Sequence, residues 1–167
     1  MATVYSVQQT KHNQNDPTEK IKPNEKGGRV RIAYALYEAS SLSSGDVINM
    51  FVLPKGARVL EGTLTHDAMG SSTTLAVGHA AYKNADGTTV ALDADEFFAA
   101  AASTSITTVN VAVTSALGRN TVIDADGDGY TVSVTMGGAA GTNYRTANVL
   151  RCRLKILGGS FGGRPFN

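Results

Sequence analysis

The sequence predicts an all-β fold: a jelly-roll-like β-sandwich of about 8–9 strands with one short helix, an extended N-terminal arm and a Gly-rich C-terminal tail. Three observations lead there. Runs rich in branched and aromatic residues recur with turn signals roughly every 8–12 residues, too close for βαβ units. The 167 residues include 18 Gly, 22 Ala and 18 Thr but no Trp; Thr suits the solvent face of a strand and Gly supplies turns. Tyr130-Thr131-Val132-Ser133-Val134-Thr135-Met136 alternates cleanly, so Tyr, Val, Val and Met should face a core, with Thr and Ser opposite.

In chain order, Val30 to Tyr37 fits a strand and Ser40 to Asp46 a loop. Val47 to Leu53 is a nearly continuous apolar run, short enough for a buried strand, and Pro54-Lys55-Gly56 turns the chain. Arg58 to His66 and Thr73 to Tyr82 are further strands; Asn84 to Gly87 carries a hairpin signal, and Thr88 to Leu92 is a short strand. Asp93 to Ala102 (DADEFFAAAA) is the helix candidate. Asp93 would cap it, Glu96 would complete a capping box, and the Ala run favours helix. Being short, it would have to dock through Phe97 and Phe98. Ile106 to Val113 and Thr121 to Ile123 return to strand character. Thr146 to Leu157 is the longest strand, with Val149, Arg151, Arg153 and Lys155 on one face and Leu150, Cys152, Leu154 and Ile156 on the other.

The chain divides into an arm over 1–28, a sandwich domain over 29–157 and a tail over 158–167. Gln8 to Gly28 has Ile21 as its single aliphatic residue and is interrupted by Pro17 and Pro23, so neither strand nor helix periodicity survives. Fully extended, the arm reaches roughly 90 Å. Val4, Tyr5 and Val7 near its start could anchor it in a neighbour's groove. The tail carries Phe161, Arg164 and Phe166 on a glycine-rich linker. Each Phe would gain about 1.5–3 kcal/mol from burial, so a partner surface or the chain's own flank should take them.

The formal net charge is +1, so no overall field attracts nucleic acid or an anionic membrane. Its distribution is uneven: residues 1–31 carry +3, residues 145–167 carry +5 and the stretch between carries −7. Such segregation suits packing between copies or against another protein. The stripe Arg151, Arg153 and Lys155 lacks the interleaved aromatic residues of a nucleic-acid platform and reads as a protein–protein face. Cys152 is the single cysteine, which excludes an internal disulfide and a cysteine zinc cage and fits a buried thiol in a reducing compartment. No apolar run approaches the roughly 20 residues of a membrane helix, and Met1 to Asn15 lacks a signal-peptide segment.

The motifs that could carry chemistry are few. Asp124-Ala125-Asp126-Gly127-Asp128-Gly129 opens like a calcium loop, with oxygen ligands at alternate positions. Position twelve is Thr135 rather than a bidentate Glu, and strand follows instead of helix. The segment reads either as a Ca2+ site using Asp124, Asp126 and Asp128 or as an Asx/Gly turn between strands. His66-Asp67 could belong to a triad, but no G-x-S-x-G elbow accompanies it. No catalytic residues and no cofactor other than Ca2+ are expected.

One segment is specific enough to suggest a relationship. Ser44-Gly45-Asp46-Val47-Ile48-Asn49-Met50-Phe51-Val52-Leu53-Pro54-Lys55-Gly56-Ala57-Arg58-Val59-Leu60-Glu61-Gly62 follows a polar arm ending in Gly27-Gly28-Arg29-Val30-Arg31-Ile32-Ala33 and precedes Thr73 to Gly78. It resembles small virion structural proteins of tailed bacteriophages, over residues 27–82 with looser strand rhythm to Leu157. The resemblance implies a non-enzymatic capsid decoration (cement) protein, made in the host cytoplasm and located in the virion. Its partners would be the major capsid protein and neighbouring copies, in a homo-oligomer such as a trimer, with no nucleic acid or membrane engaged. A head fibre, tail, nozzle or adaptor subunit is the alternative within that class. A calcium-dependent carbohydrate-binding module is the alternative outside it, weakened by the absence of Trp.

Overall fold

The computed structural model describes residues 9–10, 29–39, 42–111, 123–127, 129–138 and 148–157. Its strands are β1 (Val30–Ala39), β2 (Val47–Leu53), β3 (Arg58–His66), β4 (Thr74–His79), β5 (Tyr82–Lys83), β6 (Thr89–Val90), β7 (Asp93–Ala102), β8 (Thr107–Val111), β9 (Tyr130–Gly137) and β10 (Asn148–Leu157). The two-residue strands β5 and β6 pair only with each other. The other eight form two four-stranded sheets, β1-β10-β3-β8 and β2-β9-β4-β7, called sheets A and B below. Neighbours pair antiparallel throughout. Successive strands mostly cross from one sheet to the other, and the first strand lies beside the last, which is the connectivity of a double Greek-key jelly roll. The pairing of β1 with β10 runs from Val30 opposite Leu157 to Ala39 opposite Asn148.

The core lies between the sheets. Sheet A contributes Val59, Leu64, Val111, Leu150, Cys152, Leu154 and Ile156, and sheet B contributes Leu53, Leu75, Val77, Phe97, Val132, Val134 and Met136, all buried. The expected division of β10 holds: Leu150 to Ile156 on even positions are fully buried while Arg151 and Arg153 are exposed. On β9 the even positions face the core as expected. Ser133, expected on a solvent face, is buried as well. The tight turn at Pro54 forms as the sequence indicates. The Ala57 N–H donates to the Pro54 carbonyl at 3.1 Å, and Gly56 sits at φ +76°, where a side chain would be strained.

The helix expected over Asp93 to Ala102 is not formed; those residues are β7. The Asp93 side chain accepts the Asp95 N–H at 3.1 Å in an Asx turn rather than capping a helix. The open edge of β4 decides the outcome. Thr74 pairs with Ala102 and Leu75 with Ala101, then the register shifts so that Val77 faces Phe98 and His79 faces Asp93. The shift lets Phe97 bury while Phe98 packs against the same core. Helix propensity among these residues is worth tenths of a kcal/mol each, less than strand pairing plus a buried Phe. Gly78 permits the approach: a Cβ there would overlap the Asp93 carbonyl oxygen.

Candidate interaction face

Sheet A turns two unlike rows of side chains to the solvent. On β10 the outward residues are Arg151, Arg153 and Lys155. On β1, the edge strand beside it, Val30, Ile32, Tyr34 and Leu36 point outward and are 57%, 56%, 57% and 49% exposed. Leu36 lies opposite Arg151, Tyr34 opposite Arg153 and Ile32 opposite Lys155. An apolar row thus runs alongside a cationic row in strict register. Lys155 hydrogen-bonds and ion-pairs with Glu61 on β3. Thr65 and Thr108 join their hydroxyls at 3.0 Å farther across the face. The inward side of β1 carries Ala33 and Ala39 in buried positions, and Tyr37 between them packs against the core.

The four outward residues of β1 were not foreseen as a site. Their period-two spacing is plain in the sequence, but large apolar side chains in a strand ordinarily face the core. An edge strand that presents four large apolar side chains in a row, with a charge only at its far end in Glu38, is the usual mark of a contact surface. Full coverage would gain about 1 kcal/mol for each half-exposed side chain, at about 25 cal/mol per Å².

The other residues singled out from the sequence fall elsewhere. Val4, Tyr5, Val7, Asp128, Phe161, Arg164 and Phe166 lie outside the described residues. Asp124 pairs with Lys55 at 3.7 Å. The backbone around Asp124 and Asp126 is tied to its neighbours: Ile123 N–H donates to the Ala57 carbonyl at 2.9 Å, Ala85 N–H to that of Asp124 at 3.2 Å and Asp126 N–H to that of Lys83 at 2.8 Å. That is how a turn between strands is held. Among the described residues, no group of three or more His, Cys, Asp or Glu side chains could hold a metal ion.

His66 and His79 are both buried, and each Nδ1–H donates at 2.9 Å to the carbonyl of the following residue, Asp67 and Ala80 respectively. Asp67 accepts the Val149 N–H at 2.9 Å and so fixes the start of β10. The His66-Asp67 pair is thereby occupied in holding strand ends. Burial pushes the Cys152 thiol up to about 12, which leaves it protonated and unreactive at neutral pH.

At one end of the sheet B strands, His79, Tyr82 and Tyr130 stack with ring centroids 4.8–5.3 Å apart, and Phe97 closes on Tyr130. Carboxylates ring this cluster. Burial raises the Glu96 carboxyl above its ordinary range, and Asp93 and Asp95 add to the rise while His79 opposes it. Burial, then Asp124 and Glu96, raise the Tyr82 hydroxyl. Tyr130, deeper still, is raised further, again first by burial.

No protein-family model matches this sequence, and no curated protein does. Solved structures do match. A chain of the Ralstonia phage GP4 capsid is 20% identical with a TM-score of 0.62, covering 79% of this chain and 86% of that one. A chain of the cyanophage Pam1 capsid asymmetric unit is 19% identical with a TM-score of 0.55, covering 78% of this chain and 86% of that one. The shared feature is the fold, found in both cases in chains of phage capsids. Among the described residues, no helix is long and apolar enough to cross a membrane.

Proposed function

We propose that this chain is a non-enzymatic virion protein that decorates and cements a phage shell, binding the shell and neighbouring copies of itself. The observation that carries this reading is the jelly roll shared, over most of both chains, with chains of two phage capsids. The outward face of sheet A supports it, because a protein that stabilises a lattice needs a contact surface rather than a cleft. On this reading the arm, with Val4, Tyr5 and Val7, and the tail, with Phe161, Arg164 and Phe166, add tethered contacts on adjacent molecules. Binding to the assembled lattice alone would stabilise it by mass action.

The test is to strip purified shells of this chain, add it back, and measure occupancy and shell melting. Decoration predicts hundreds of copies per particle, bound over the whole shell, with melting raised by re-addition. A dozen copies or fewer at one vertex would identify a fibre, tail, nozzle or adaptor subunit instead. Removing residues 1–28 without loss of affinity would take the arm out of the scheme.

A further inference from the structure

We infer that the apolar and cationic outer face of sheet A docks on a second copy of this chain, against the acidic flank around the β7 turn. This names one partner within the shell-binding reading and rests on that reading only for the particle on which copies meet.

The two surfaces are matched in chemistry. The face presents Ile32, Tyr34 and Leu36 beside Arg151 and Arg153, with Glu38 as the one acid at the end of the β1 row. Among the described residues, neither arginine has an ion-pair partner. The flank presents Asp93, Asp95 and Glu96 of β7 with Asp86, Asp124 and Asp126. The hydrogen bonds from Ala85 to Asp124 and from Asp126 to Lys83 bring the last two beside the β5–β6 hairpin. His79 pairs with Asp93 of β7 and its ring meets that of Tyr82 at 5.3 Å, which brings the start of β7 beside the same hairpin. Lys55, paired with Asp124, and Lys83 are the basic residues in these segments, so negative charge dominates. Leu92, 48% exposed and next to Asp93, gives the flank an apolar element of its own.

The topology separates the two surfaces. The face is the outer side of sheet A, whereas the acidic residues lie on β7 of sheet B and on segments tied to the β2–β3 turn and the β5–β6 hairpin. The two surfaces thus belong to different sheets, and successive molecules can bring them together head to tail. Such a heterologous contact closes into a ring or continues as a chain according to its rotation. Charge sets the register and speeds encounter, while the apolar row supplies the area removed from water.

The experiment is sedimentation velocity on the full chain over a wide concentration range, at low and high salt. Wild type should gain mass with concentration and lose it with salt. Arg151→Glu with Arg153→Glu should weaken association at least tenfold, and Asp86→Lys with Asp95→Lys should do the same. The chain carrying all four reversals should recover association, which a merely damaged fold would not; circular dichroism checks each variant. A wild type that stays monomeric throughout, reversals without effect, or a fourfold variant that stays dissociated would overturn the inference. If wild type is monomeric and the arginine reversals abolish shell binding, the face meets the shell directly, and only this inference falls. If a monomer shows new apolar-dye binding once residues 158–167 are removed, the chain's own tail covers the face, and the inference again falls. Association that behaves as described without any binding to shells would sink the decoration reading alone.

Discussion

Strands β1 and β10 are neighbours with opposite habits. On β10 the apolar positions Leu150, Cys152, Leu154 and Ile156 face the core and the cations face water. On β1 Val30, Ile32, Tyr34 and Leu36 face water while Ala33, Tyr37 and Ala39 face the core. Both strands alternate with the same period. The contrast teaches that alternation identifies which residues share a face, but not which face is inside. The side is fixed by what remains to be filled. At β1 the inward positions are Ala33, Ala35, Ala39 and one large residue, Tyr37, which packs against the core, and the other large apolar residues of the strand face outward.

Substitutions at the two strands should separate these roles. Leu154→Ala, in the packed half of the contrast, should cost about 2–5 kcal/mol. That lowers melting by about 2–4 °C for each kcal/mol in a chain of this size; thermal and urea unfolding would check it. Gly78→Ala should cost about 1–3 kcal/mol, because the β7 backbone must move off the new methyl group. The same unfolding curves would show it, and a neutral result would contradict the close approach of β7 to β4. Ile32→Ser and Leu36→Ser, in the outward half, should each change stability by only about 0.5 kcal/mol. They should nevertheless weaken attachment to stripped shells, measured by co-sedimentation. If they unfold the chain as Leu154→Ala does, the outward row belongs to the core. Ala99→Thr and Ala100→Thr, at exposed β7 positions, should stabilise by a few tenths of a kcal/mol as befits a strand; a helix would be destabilised instead.

The smallest effect concerns pH. The folded Glu96 carboxyl titrates above its unfolded counterpart, so its stabilising contribution is complete below the unfolded value, near 4.5. It is lost as pH rises through the folded value. Glu96→Gln should therefore be slightly more stable than wild type at pH 7, and the advantage should vanish near pH 4. Denaturation midpoints at the two pH values give the sign.

Most of the sandwich could be read from local pattern. The strands β2, β3, β9 and β10, the turn at Pro54 and the buried thiol follow from alternation, turn chemistry and the lone cysteine. What could not be read had a non-local cause. DADEFFAAAA carries a helix cap and helix-forming alanines, and only the open edge of β4 turns it into a strand. The basic row on β10 was legible because its partners on alternate positions are plainly apolar. The apolar row on β1 was hidden because its exposure depends on a neighbour's register, Tyr34 opposite Arg153. The acidic flank was equally hidden, since Asp124 is far in sequence from Asp86 and Asp93 and is brought near them by the hydrogen bonds of its segment to the β5–β6 hairpin.

Because Val30 stands opposite Leu157, the chain enters and leaves the sandwich at a single corner. Cargo grafted ahead of the first strand or behind the last would start from nearly the same point in space, so either route of attachment would display it beside the same rim.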